Sequence, residues 1–148
     1  MVLPNGWEVV YLELGDFHRS AAVALNLDLI TVRSITNETL AGSALAAPAA
    51  GFGDFEQYPE FATKLAVLIQ AVASNHALPD GNKRTALLCG VLFAQINGFR
   101  WIEPAGDHVD GSVTAGMIEG VAARTVPLGE LAVWIEERLG TVRPLGDT

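Results

Sequence analysis

The sequence predicts an all-α fold, a compact bundle of about six helices around a buried central helix at residues 83–97. Three observations predict it. Half of the 148 residues are hydrophobic, and Ala, Leu and Val dominate, as packed helices require. Apolar residues recur at helical spacing through most of the chain. Residues 83–97 are apolar on nearly every side, with Leu87, Leu88, Cys89, Val91, Leu92, Phe93 and Ile96, the composition of an enclosed helix. The length suits one domain, 1–148, with no repeat, linker or second unit.

Taken in order, residues 1–6 read as a loose arm with a turn at Pro4-Asn5-Gly6, and Glu8 to Leu12 as a short extended piece. Leu14 to Leu25 places Leu14, Phe17, Ala21 and Leu25 on one helical face, with His18 expected as a solvated surface histidine. Leu29 to Thr36, containing Arg33, reads as a connection. Asn37 is a good N-cap for a helix that runs to Ala47 and stops before Pro48, with Glu38 in its first turn and Gly42 weakening it. Ala49 to Pro59 sets Phe52, Phe55 and Tyr58 among glycines. Two readings stand side by side: a loop pinned to the core by its aromatics, or an edge of a functional site.

Glu60 to Asn75 is a helix with Phe61, Leu65, Leu68, Ile69 and Val72 at helical spacing; the helix after it closes at Asn97-Gly98. Phe99 to Pro104 is an extended link. Asp107, His108 and Asp110 stand close together but read as a helix N-terminus and solvated loop rather than a metal site. Val109 to Ala123 is a helix carrying Val113, Met117, Ile118 and Val121. Pro127 opens the last helix, whose stripe is Leu128, Leu131, Ile135 and Leu139, ended by Gly140; residues 143–148 are a tail.

Between the two most apolar helices lies His76-Ala77-Leu78-Pro79-Asp80-Gly81-Asn82-Lys83-Arg84, a polar loop at the mouth of a buried helix. A helix starting near Asn82 leaves its first N–H groups without partners, at the end where the dipole favours an anion. Gly81 lets backbone approach such an anion closely. Lys83 and Arg84 put full positive charge where the dipole alone prefers acids, which points to a bound anion. Asp80 is a hard oxygen ligand suited to Mg²⁺, which takes one or two carboxylates plus substrate phosphates. His76 is placed to act as general base on a hydroxyl. Singly, each has a plainer role: Asp80 or Asn82 as an N-cap, the cations as solvated charges, His76 as the end of the preceding helix. Together, at this spacing, they read as a site.

The stretch His-x-x-x-Asp-Gly-Asn-Lys-Arg-Thr-Ala-Leu, residues 76–87, resembles the signature of the Fic/Doc superfamily, in its death-on-curing (Doc) toxin branch. Val32-Arg33, Leu40 to Pro48, Tyr58-Pro59 and Phe93 to Gly98 add to the resemblance, which covers roughly residues 11–139. Leu78 stands where the family usually has phenylalanine, and anchors the loop with less bulk. Leu87 stands where AMP-transferring Fic enzymes have a second arginine. The resemblance implies a Fic-like helical fold and a toxin of a toxin–antitoxin pair. It implies phosphoryl transfer from ATP or another nucleoside triphosphate, with Mg²⁺, to a Ser/Thr hydroxyl of a protein, with elongation factor Tu as the type target. His76 and Asp80 would be catalytic, Asp80 the metal ligand, and Gly81, Asn82, Lys83 and Arg84 the phosphate-binding residues. Fic-type nucleotidyl transfer and a non-catalytic nucleotide- or partner-binding module are the alternatives. In Fic-like proteins the 51–56 region would be a flap that docks the target. Self-inhibited members carry a Ser/Thr-x-x-x-Glu-Gly/Asn motif; the nearest match, Ser34 to Thr39, fails at its last position, which implies a separate antitoxin.

A net charge of −8 argues against broad nucleic-acid binding, since phosphate backbones need a basic face. The single cysteine, Cys89, excludes an intramolecular disulfide and reads as a buried small hydrophobe. No basic leader and no segment of membrane-spanning length is apparent, so a cytoplasmic protein without membrane partners is expected.

Overall fold

A computed structural model describes Leu3, Gly6, residues 8–104, His108 and residues 111–141. Among them are seven α-helices: α1 (Leu14–Leu25), α2 (Leu29–Ile35), α3 (Glu38–Ala46), α4 (Phe61–Ser74), α5 (Asn82–Ile96), α6 (Ser112–Ala122) and α7 (Leu128–Glu136). Two antiparallel ribbons complete them, β1 (Gly51–Phe52) with β2 (Phe55–Glu56), and β3 (Phe99–Trp101) with β4 (Leu139–Thr141). The predicted all-α bundle is therefore present, with strands confined to short ribbons.

The α4–α5 pair forms the centre. α5 is enclosed as its sequence predicts, but α4 is the more enclosed helix, with Leu65, Leu68, Ile69 and Val72 at 1% exposure or less. Lys64 disguises this in the sequence, because a lysine marks a face as solvated. Gly90 lets the two helices approach closely: a Cβ there would lie 2.7 Å from Ile69 Cδ1. Phe61 stacks between Phe93 and Phe99, at ring centroid distances of 5.0 and 4.7 Å. No helix among the described residues is long and apolar enough to cross a membrane.

Several expectations need correcting. Leu29–Ile35 is helix α2, not a connection; the Asp28 side chain caps it by accepting from the Thr31 N–H at 2.8 Å, which holds that carboxyl below its usual range. His18 is buried, at 5% exposure, because its face of α1 packs toward α3; its Nε2 lies 3.9 Å from Glu38 Oε1. Val113 is exposed, and α6 buries Thr114, Ile118 and Val121 instead. α7 stops at Glu136, and Leu139 belongs to β4, paired with Trp101. The chain turns there because buried Arg138 donates to the Trp134 carbonyl at 2.9 Å and stacks on its ring at 3.7 Å. Pro127 is the N-cap of α7 rather than its first residue. Of the expected N-terminal arm, Leu3 is buried and Gly6 N–H bonds to its carbonyl, so the turn exists but the arm is not loose at Leu3. Asp107, Asp110 and the 143–148 tail lie outside the described residues. His108 is exposed and pairs with Glu103 at 3.0 Å.

Candidate active site

α4 ends at Ser74, with Asn75 as its C-cap, and α5 begins at Asn82, so the predicted loop spans the gap between the two central helices. His76 follows the end of α4 in a left-handed conformation, φ 54°, which His adopts more readily than most residues. It both terminates the helix and turns its ring outward. Ala77 and Leu78 then dive into the core, each 3% exposed. The Ala77 carbonyl accepts from the Asn37 N–H at 2.7 Å, which stitches the loop to the start of α3. Leu78 thus anchors the loop as the sequence suggests.

Neither Asp80 nor Asn82 caps α5. The N-cap is Gly81, left-handed at φ 77°, and a Cβ there would meet Leu25 Cδ2 at 2.4 Å, so both backbone and space require glycine. The buried Asn82 side chain closes the loop on itself: its Oδ1 accepts from Leu78 N–H at 3.1 Å and its Nδ2 donates to the Leu78 carbonyl at 2.8 Å. Its contribution to an anion can come only from its backbone; its side chain holds the loop in shape.

A pocket of about 600 Å³ opens at this N-terminus, and His76, Asp80, Gly81, Asn82, Lys83 and Arg84 all line it. Pro79, Ala73, Ala24 and Leu25 complete the wall. All six residues singled out in the sequence therefore come together. The α1 wall was not foreseeable, because nothing local in Ala24 or Leu25 announces a contact some sixty positions away. His76 and Asp80 are exposed and have no hydrogen-bond or ion-pair partner among the described residues. Arg84 is not a loose surface charge: it donates to the Ala24 carbonyl at 3.0 Å, at the negative end of α1. Lys83 lies 3.9 Å from Glu119, both exposed, a contact worth little.

One exposed carboxylate in a pocket with two cations fits a cation such as Mg²⁺ that draws its remaining ligands from phosphate and water. No group of three or more potential metal ligands exists among the described residues, so an all-protein metal cage is not present there. Cys89 is fully buried, and burial pushes its thiol up to about 12, so it is no nucleophile.

Beside this pocket lies a second hollow of about 720 Å³ between α1, α5 and α6. It shares Ala24, Lys83 and Arg84 with the first and adds Val23, Leu87, Leu88 and Ile118. Residues 51–56 line neither. Their aromatics are not core anchors, since Phe52 and Phe55 are exposed on the hairpin.

The loop lies within the part of the chain that matches a known family. Residues 11–94 match the Fic/DOC family, and the chain belongs to it. It is 33% identical over 122 residues to Toxin Doc of Mycolicibacterium smegmatis, a match covering 82% of this chain and 88% of that protein. No solved structure matches.

Proposed function

We propose that the protein is a Doc-like toxin that transfers a phosphoryl group from ATP, or another nucleoside triphosphate, to a hydroxyl of a cytoplasmic protein such as a translation factor. The observation that carries this reading is the convergence of His76, Asp80 and the α5 N-terminus with its two cations on one pocket. His76, whose ring has no partner among the described residues, takes the proton of the acceptor hydroxyl. The unpaired N–H groups at the start of α5, with Lys83 and Arg84, stabilise charge on the phosphoryl oxygens. Asp80 would hold Mg²⁺, which when bound neutralises phosphate charge. Asn82 keeps the loop rigid so that these groups need not reorganise. The β1–β2 hairpin docks the acceptor segment.

Leu87 supports phosphoryl over nucleotidyl transfer. It is 6% exposed and apolar, where an AMP-transferring relative would present a cation to the distal phosphates. Incubation with labelled ATP tests the choice: γ-label is expected on the acceptor and α-label is not. Transfer of α-label would make the protein a nucleotidyl transferase. ATP binding without any transfer would make it a binding module.

Restraint by a separate antitoxin belongs to the same reading. Glu38, the glutamate of the nearest self-inhibitory match, is the first residue of α3, faces His18 and lines neither hollow. The apolar second hollow, sharing Lys83 and Arg84 with the first, suits an amphipathic helix of a partner. Growth arrest on expression alone, relieved by the product of a neighbouring reading frame and abolished by His76→Ala, is the expected outcome. Harmless expression of the wild-type chain alone would contradict it.

A further inference from the structure

The β1–β2 hairpin holds two phenylalanines in the open, Phe52 at 78% and Phe55 at 57% exposure, with ring centroids 5.2 Å apart. Strands of two residues make too few ladder bonds to fix such a hairpin alone. α4 supplies the fastening. Lys64 is completely buried, and its Nζ lies 3.1 Å from the Pro48 carbonyl and 3.1 Å from Glu56 Oε1. The same ammonium stands over the Tyr11 ring, 5.5 Å from its centroid. Pro48 precedes the hairpin and Glu56 closes it, so one charge grips both ends of the segment. A lysine ammonium has three donors, and here they meet a carbonyl, a carboxylate and a ring face. An ammonium buried without such partners would be prohibitively costly, so Lys64 and the hairpin base stabilise each other.

We propose that Lys64 is a positioning residue for the acceptor: its buried ammonium clamps Pro48 and Glu56 and thereby sets the orientation in which the hairpin presents Phe52 and Phe55. The proposal rests on the reading of the protein as a transferase with a protein acceptor. Lys64 itself touches no substrate. It acts through Glu56, and its loss should weaken acceptor docking while leaving the reaction loop at the far end of α4 intact.

The test uses the full chain with Lys64→Met, Glu56→Gln and the double variant. Amide hydrogen exchange over residues 50–57 is expected to be roughly tenfold faster in each single variant, with α5 protection unchanged. The effects of the two single variants should add to more than the effect of the double variant, because Lys64 and Glu56 share one contact. With purified elongation factor Tu as probe acceptor, KM for that protein should rise about tenfold while kcat and KM for Mg-ATP stay constant. If Lys64→Met does not fold, Glu56→Gln alone carries the test. Wild-type exchange rates in the hairpin of Glu56→Gln would overturn the proposal. So would a fall in kcat with an unchanged acceptor KM, which would leave Lys64 a general stabiliser. If the wild-type chain does not label elongation factor Tu, that acceptor fails, while hairpin exchange still decides the clamp.

Discussion

The two ends of α4 treat polar groups in opposite ways. Near its start, Lys64 is fully buried and directs its ammonium at Pro48, Glu56 and Tyr11. Just past its end, His76 is exposed in a left-handed turn, and neither it nor Asp80 has a partner among the described residues. A charge that is enclosed and partnered holds architecture together. Polar groups held in place by backbone but left unpartnered in a pocket are available to a ligand. Lys83 and Arg84 fall between, since Arg84 is tethered to α1 and yet lines the pocket.

The sharpest way to break this contrast is His76→Asn, which removes the imidazole but suits the left-handed turn. Label transfer should fall by about 10²–10⁴-fold, the contribution of a general base, while the melting temperature moves little. A large loss of stability would place His76 with the architectural residues. At the other end the order should reverse. Glu56→Ala leaves the Lys64 ammonium short of its carboxylate and should lower unfolding free energy in urea by about 1–3 kcal/mol, with kcat retained. A loss no greater than that of a surface pair would mean the burial of Lys64 is not felt.

The smallest effect concerns Cys89, whose chemistry is suppressed by enclosure. Its thiol is pushed up to about 12, so a thiol reagent at pH 8 should label it only as fast as the protein opens. The folded value lies above the unfolded one of roughly 8.5. Its contribution to stability is therefore whole below that pH and is lost as pH rises toward about 12. Rapid labelling of the native protein would show that α5 is less tightly packed than its burial implies.

How far these roles could be read from sequence follows from their range. The gathering of residues 76–84 around one pocket was legible because they are contiguous, and because glycine beside two cations at a helix start has few structural explanations. The amphipathic spacing of α1 and α4 and the all-round apolar run of α5 are equally local. α2 was missed because Ile30, Thr31, Val32 and Ile35 are β-branched and the helix is only seven residues long; its cap, Asp28, was the available signal. Leu139 fits a helical stripe by spacing, but pairing with β3 claims it. By type His18 reads as solvated, and nothing local marks Lys64 for burial. Their burial depends on α3 in one case and on Tyr11, Pro48 and Glu56 in the other, partners that no local pattern reveals.

The left-handed backbone at His76 bears on how a gene for this protein would be silenced. Asparagine and aspartate tolerate that conformation at least as well as histidine, whereas alanine does not. The codons of both lie a single base change from those of histidine. Selection for survivors of toxin expression should therefore yield full-length, well-folded His76→Asn and His76→Asp chains among the escapees. On the proposed reading, such chains would still occupy a partner antitoxin, and so would interfere with restraint of any active copy in the same cell.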